Sequence, residues 1–230
     1  MVRILKNYED RKNELLATAQ RLFYHHGYDQ TSVNNIIEAV GVSKGTFYYY
    51  FKSKEDLLDC IIDTMSRNIL REMGSVINEA GLDALTKFRK VIDVTRRWRI
   101  ANKELFMTVT KVMYRDENVF LRHKMDMRDL QLITPELSKI IKQGVHEGVF
   151  HISNPDDAAE LIMRLSNEIK EVISKLAIAI RQHPENAALV ERKLETFGVA
   201  LERILGAPKH SLGIPDKELL NCFLKEDETL

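Results

Sequence analysis

The 230-residue chain has only two cysteines, Cys60 and Cys222, too few for a disulfide framework. Five prolines and ten glycines leave long stretches without a helix breaker. That excludes collagen-like and low-complexity architectures. No apolar run approaches the ~20 residues that cross a bilayer. The opening MVRILKNYED is too polar for a signal peptide, so the expected location is cytoplasmic with no membrane partner. The formal net charge is zero, which argues against a general nucleic-acid coat. There is no HExxH, no cysteine pair at ligand spacing, no G-x-S-x-G, no P-loop and no dinucleotide fingerprint. No metal site, catalytic site or cofactor is therefore expected. The seven histidines are scattered, and His25-His26 read as the close of a first helix, where histidine meets the C-terminal dipole.

What is present is concentrated in residues 31–54, TSVNNIIEAVGVSKGTFYYYFKSK. Ser32 caps a helix that turns Val33, Ile36, Ile37 and Val40 inward. Gly41 falls where a helix stops, because glycine enters the left-handed conformation without steric cost. Val42 returns to the core and Ser43 caps the next helix. In that helix Phe47 and Phe51 lie one turn apart on one face. Stepping about 100° per residue puts Gly45 and Tyr49 opposite Phe47, with Thr46 and Tyr48 on the flanks. A short helix pinned inward by two phenylalanines, and led by Lys44, has the pattern of a recognition helix. Residues 9–24 precede it as an amphipathic helix carrying Leu15, Leu16, Ala19, Leu22 and Phe23, stopped at Gly27. Ser53 with Asp56 forms a capping-box variant opening a helix through Leu57, Leu58, Ile61, Ile62 and Met65.

Residues 9–58 resemble the DNA-binding domain of the TetR family of transcriptional repressors. The resemblance is carried by Ala19, Leu22, Phe23, Gly27-Tyr28, Thr31-Ser32-Val33, Ile36, Gly41 to Thr46 and the run Phe47 to Leu57. One departure is Tyr50, where the family often has histidine. The resemblance implies that Lys44, Gly45, Thr46 and Tyr48 meet the major groove. It also implies that Thr31, Ser43, Tyr49, Tyr50 and Lys54 hold phosphates. Charge agrees: residues 1–54 hold eight Lys and Arg against five Asp and Glu, a net of +3 that the remainder balances with −3.

The rest reads as further helices, so the fold class is all-α. A three-helix helix-turn-helix domain (1–54) precedes a larger helical effector-binding and dimerisation domain (55–206) and a tail (207–230). Apolar spacing predicts helices over 82–100 and 104–114, and a third stretch over 117–147. Thr134-Pro135-Glu136 predicts a kink or break in that stretch. Asn154-Pro155-Asp156-Asp157 starts a long amphipathic helix that His183-Pro184 stops. Residues 186–205 repeat the pattern and end at Gly206. In the family such a hairpin pairs with its copy in a second subunit. The expected dimer contacts are Leu161, Leu165, Ile169, Val172, Leu176, Val190, Leu194, Phe197 and Leu201. The tail carries an amphipathic piece, Asp216 to Leu224, with Leu219, Leu220 and Phe223 as docking residues.

The resemblance also implies a small-molecule effector, of unknown identity, bound among the middle helices. Trp98, Phe106, Met107, Thr110, Met113, Met125 and Met163 are the candidate lining residues, and their character suits an apolar or aromatic ligand. Arg96, Arg97 and Arg99 read as a solvated helix face around Trp98. The expected function is a homodimeric repressor released from a palindromic DNA operator by that effector. Two alternatives stand beside it. One is a DNA-binding factor without a ligand that acts through a protein partner. The other is an all-helical enzyme, disfavoured by the lack of a convergent polar site.

Overall fold

The computed structural model describes residues 8–180 and 182–214. The expected amphipathic tail piece, Asp216 to Leu224, lies outside them. The described residues form helices α1 (Tyr8–His26), α2 (Val33–Val40), α3 (Lys44–Tyr50), α4 (Lys54–Ile77) and α5 (Ala84–Ala101). They continue with α6 (Lys103–Met113), α7 (Val119–His146), α8 (Pro155–Ile178) and α9 (Asn186–Leu205). A short 3-10 turn, Asp116–Asn118, leads into α7.

The helix ends follow local chemistry. Ser53 Oγ accepts from Asp56 N at 3.1 Å, and Asp56 accepts in return from Lys52 N at 2.8 Å, one residue before the usual partner of a capping box. Asn154 caps α8 ahead of Pro155, with Asp156 and Asp157 in the first turn. Asp83, which the apolar spacing did not single out, caps α5 by accepting from Thr86 N at 2.9 Å. The break expected at Thr134-Pro135-Glu136 is corrected: α7 is one 28-residue helix with Pro135 inside it. Proline removes one N–H donor. Within the next six residues Leu137, Ile140 and Ile141 are buried, and their packing holds the helix across the gap.

The chain divides into two compact units. The first comprises residues up to Ser66 together with Glu104–Val112. Its core is built on Leu15, Ala19, Phe23, Ile36, Phe47, Phe51, Leu57 and Ile61, each at most 2% exposed. The start of α4 therefore contributes Leu57 and Ile61 to the small core that α1, α2 and α3 share.

The second unit comprises Arg67–Lys103 and the chain from Met113 onward. Its core joins Phe88, Val94, Ile140, Phe150, Ala159, Ile162 and Leu205. Gly144 is required here: a Cβ would lie 2.1 Å from the Phe150 ring. The Val149 and Phe150 N–H groups both donate to Gly144 O, which folds that ring back over the helix end. Between α7 and α8, Lys170 Nζ donates to Asp126 at 2.9 Å and to Asn167 at 3.1 Å, and it pairs with Asp129 at 3.5 Å. Beside it Arg122 pairs with Glu171 at 3.3 Å and donates to Met113 O, the end of α6.

The hairpin residues separate into two groups. On α8, Leu161 and Val172 are exposed, and Leu165, Ile169 and Leu176 are half-buried. On α9, Val190 and Leu201 are each 2% exposed, closed into the subunit's own interior, and Phe197 packs against the same core. Val190 and Leu201 are corrected on that ground, since they have no surface to offer a second subunit. Leu194 is half-buried.

Candidate nucleic-acid interface

The turn between α2 and α3 is built by caps. Ser32 Oγ accepts from Asn35 N, and Asn35 Oδ1 accepts from Ser32 N at 2.9 Å, a reciprocal box. Gly41 has φ +73°, and the N–H groups of Gly41 and Val42 both donate to Ile37 O. A residue with a Cβ is strained in that conformation. Ser43 Oγ then accepts from Thr46 N at 3.1 Å and lies 2.8 Å from Thr46 Oγ1.

Helix α3 has one inward and one outward face. Phe47 is fully buried, and Phe51, its C-terminal cap, is 1% exposed. Lys44, Gly45, Tyr48 and Tyr49 are exposed, and Thr46 and Tyr50 are half-buried. Gly45 does not have the left-handed backbone, and a Cβ there meets only Ser43 Oγ at 3.8 Å, an ordinary contact. Nothing among the described residues therefore demands a glycine at this position.

Two residues expected to hold phosphates are placed differently. Thr31 is 1% exposed, and its hydroxyl donates to Gly27 O at 2.8 Å and Leu22 O at 3.3 Å. It staples the end of α1 and is corrected from a phosphate contact to a core residue. Lys54 Nζ donates to Tyr28 O at 2.9 Å and Thr31 O at 3.1 Å, and sits 4.1 Å from the Tyr28 ring centre. Its ammonium bolts the Gly27–Thr31 turn to the start of α4. Tyr28 in turn donates to Glu55 at 3.3 Å. A hydrogen bond from Ser53, followed by smaller contributions that include Tyr28 and Lys54, holds the Glu55 carboxyl below its usual range against a weaker opposing burial effect.

One feature escaped sequence reasoning. Tyr8, the first residue of α1, packs its ring on Tyr50 at 4.8 Å and on Tyr49 at 5.9 Å. Tyr49 and Tyr50 stack edge-on at 5.1 Å. No local spacing connects position 8 with position 49, so only the tertiary fold reveals the cluster.

The seven candidate effector residues divide between the units. Phe106, Met107 and Thr110 belong to the first, and Trp98, Met113, Met125 and Met163 to the second. Thr110, Met113 and Met163 are buried, and the other four are half-buried. A cavity of about 730 Å³ opens between α5 and α9 in the second unit. It is lined by Arg89, Arg96, Glu195, Glu202 and His210 among others, and includes none of the seven. Arg96 and Arg97, expected on a solvated face, both pair with Asp93 one turn away. Burial pushes the Cys60 thiol up, which leaves it a weak nucleophile. Among the described residues no group of three or more His, Cys, Asp or Glu side chains is arranged to hold a metal. None of the described helices is long and apolar enough to cross a membrane.

Comparison with known proteins agrees with this geometry. Residues 15–61 match the family model described as bacterial regulatory proteins, tetR family. Residues 85–186 match the tetracyclin repressor-like C-terminal domain. The chain is 27% identical over 170 residues to the HTH-type transcriptional regulator YhgD of Bacillus subtilis, covering 68% of this chain and 80% of that protein. It is 27% identical over 170 residues to the HTH-type transcriptional repressor AcnR of Corynebacterium diphtheriae, covering 73% and 81%. The solved fatty acid degradation regulator FadR of Bacillus halodurans has the same fold, with a TM-score of 0.60 at 24% identity over 89% of this chain and all of that one. A capped helix-turn-helix followed by a larger helical unit, with both segments matched, identifies the chain as a DNA-binding transcriptional regulator of the tetR family.

Proposed function

We propose that the protein is a homodimeric repressor that binds a palindromic operator through α3 and leaves it when a small apolar or aromatic molecule binds the helical body. The observation that carries the DNA contact is the outward face of α3. Lys44, Gly45 and Tyr48 stand exposed on a helix whose inner face is closed by Phe47 and Phe51. Lys44, Gly45, Thr46 and Tyr48 are assigned to base edges. Ser43, Tyr49 and Tyr50 are assigned to phosphates, with Lys54 fixing the turn behind them. In this reading residues 1–54 form the DNA-binding head, 55–206 the effector-binding and dimerisation body, and 207–230 the tail. Such a role belongs in the cytoplasm, with the chromosome.

The test is binding to duplexes that the wild-type chain selects from a random pool. Lys44→Ala with Tyr48→Ala is expected to cost about 1–3 kcal/mol per lost base contact. Wild-type binding is expected to weaken steeply with salt. A double variant that holds the selected duplex as tightly as wild type overturns the assignment. For the effector, the single tryptophan, Trp98, supplies a reporter. A molecule that releases DNA is expected to change indole emission and raise the thermal midpoint of the free chain. If apolar and aromatic compounds leave both unchanged, a protein partner is the better reading.

A further inference from the structure

We infer that Tyr8 is a positioning residue of the DNA interface: its ring braces Tyr49 and Tyr50 at the end of the recognition helix and sets the directions in which their hydroxyls meet the phosphate backbone. The inference rests on the assignment of α3 to DNA. Helix α3 has seven residues, too few to be stable alone. Phe47 and Phe51 pin its inner side, Tyr50 is half-buried beside Phe51, and Tyr48 and Tyr49 stay exposed. Tyr8 reaches Tyr49 and Tyr50 from a helix that starts more than forty residues earlier in the chain. Its ring stands 43° from that of Tyr50 and 77° from that of Tyr49, tilted and edge-on arrangements that aromatic quadrupoles favour.

Two of the three rings lie outside the small core. Tyr8 is 46% exposed and Tyr49 72% exposed, whereas the phenylalanines of the same unit are sealed. Exposed phenols cost little solvation while their hydroxyls stay wet, and tyrosine is a common phosphate partner. Holding two such side chains in fixed rotamers before binding removes part of the ordering cost on DNA. Tyr8 itself is poorly placed to receive a phosphate directly. Glu9 and Asp10 follow it in the first turn of α1, and their charge repels the backbone there. The ring, acting through Tyr49 and Tyr50, is therefore its working part.

Affinity for a duplex selected by the wild-type chain tests the brace, read together with the thermal midpoint. Tyr8→Ala is expected to raise Kd about tenfold with the midpoint near wild type, the scale of ordering two side chains on binding. Tyr8→Phe keeps the ring and is expected to bind as wild type. In a chain carrying Tyr49→Ala and Tyr50→Ala, adding Tyr8→Ala is expected to change nothing further, since the brace has lost its object. If Tyr8→Ala lowers the midpoint, Tyr8→Leu replaces it, keeping apolar bulk without a ring. Wild-type affinity in the ring-less variant overturns the inference, as does a loss that adds fully to that of the Tyr49 and Tyr50 changes. A loss in Tyr8→Phe equal to that in Tyr8→Ala also overturns it, by making the hydroxyl a direct contact. Silence of Tyr8→Ala alone removes the brace. Silence of the Lys44 and Tyr48 changes as well removes the assignment of α3 beneath it.

Discussion

Gly45 and Gly144 are glycines for opposite reasons, and the difference can be measured. At Gly45 the fold leaves room for a methyl group. Alanine is the better helix former there, so Gly45→Ala is expected to leave stability unchanged or raise it by up to about 1 kcal/mol. DNA affinity is nevertheless expected to fall, because the added methyl group holds the backbone of α3 away from the duplex. Chemical denaturation and operator titration on one preparation separate the two effects. At Gly144 a Cβ enters the Phe150 ring. Gly144→Ala is expected to cost about 1–3 kcal/mol by overpacking, seen as a lower urea midpoint. Phe150→Leu in the same chain is expected to recover part of that loss. The sequence marks Gly45 within its motif, but it does not say which of the two glycines the fold requires. Thr31 shows the same limit. Its place in the family pattern is legible, but its burial depends on the end of α1 folding over it.

At the scale of elements, helix boundaries were the most legible feature, because caps are local. Ser32, Ser43, Ser53 and Asn154 all act where the spacing put them. Pro135 does not break α7, because its local penalty is outweighed by packing in the residues that follow. The join between α7 and α8 is not legible in local spacing. Its partners, Asp126 and Asp129 against Lys170, are more than forty residues apart, and each alone resembles a surface charge. The Lys170 side chain is 24% exposed. Burial alone would push its ammonium down, but Asp129 and Asp126 outweigh that and hold it above its ordinary value. Burial is the main cause that holds Asp129 above the usual carboxylate range. Lys170→Met strands two carboxylates and is expected to destabilise the chain by about 3 kcal/mol at neutral pH. Asp126→Asn with Asp129→Asn in the same background is expected to restore most of it. A lysine whose pKa is raised in the folded state stabilises below its unfolded value, and that contribution is lost as pH rises through the folded one. The gap between wild type and Lys170→Met in thermal melts is therefore expected to be constant near neutrality and to close above about pH 10.4.

For the whole molecule, the two-fold arrangement that the proposed palindromic operator requires has to come from a surface that one chain leaves open. Such a surface exists on α8. Leu161 and Val172 are 47% and 37% exposed, three turns apart, and Leu165 lies between them on the same face. Apolar spacing alone could not separate this stripe from that of α9, since both repeat at three and four residues. Burial separates them: Val190 and Leu201 already close the interior of their own subunit. Charge placed on each helix should therefore have different consequences. Leu161→Glu with Val172→Glu is expected to leave helical content and the unfolding midpoint near wild type while sedimentation shifts to the monomer mass. Operator affinity is then expected to fall far more than affinity for an isolated half-site, because linkage of two weak contacts is lost. Val190→Glu or Leu201→Glu buries an unpaired charge and is expected to unfold the second unit instead. If the α8 variant sediments as a dimer and still holds the full operator, the subunits meet elsewhere, and the exposed stripe on α8 serves another contact.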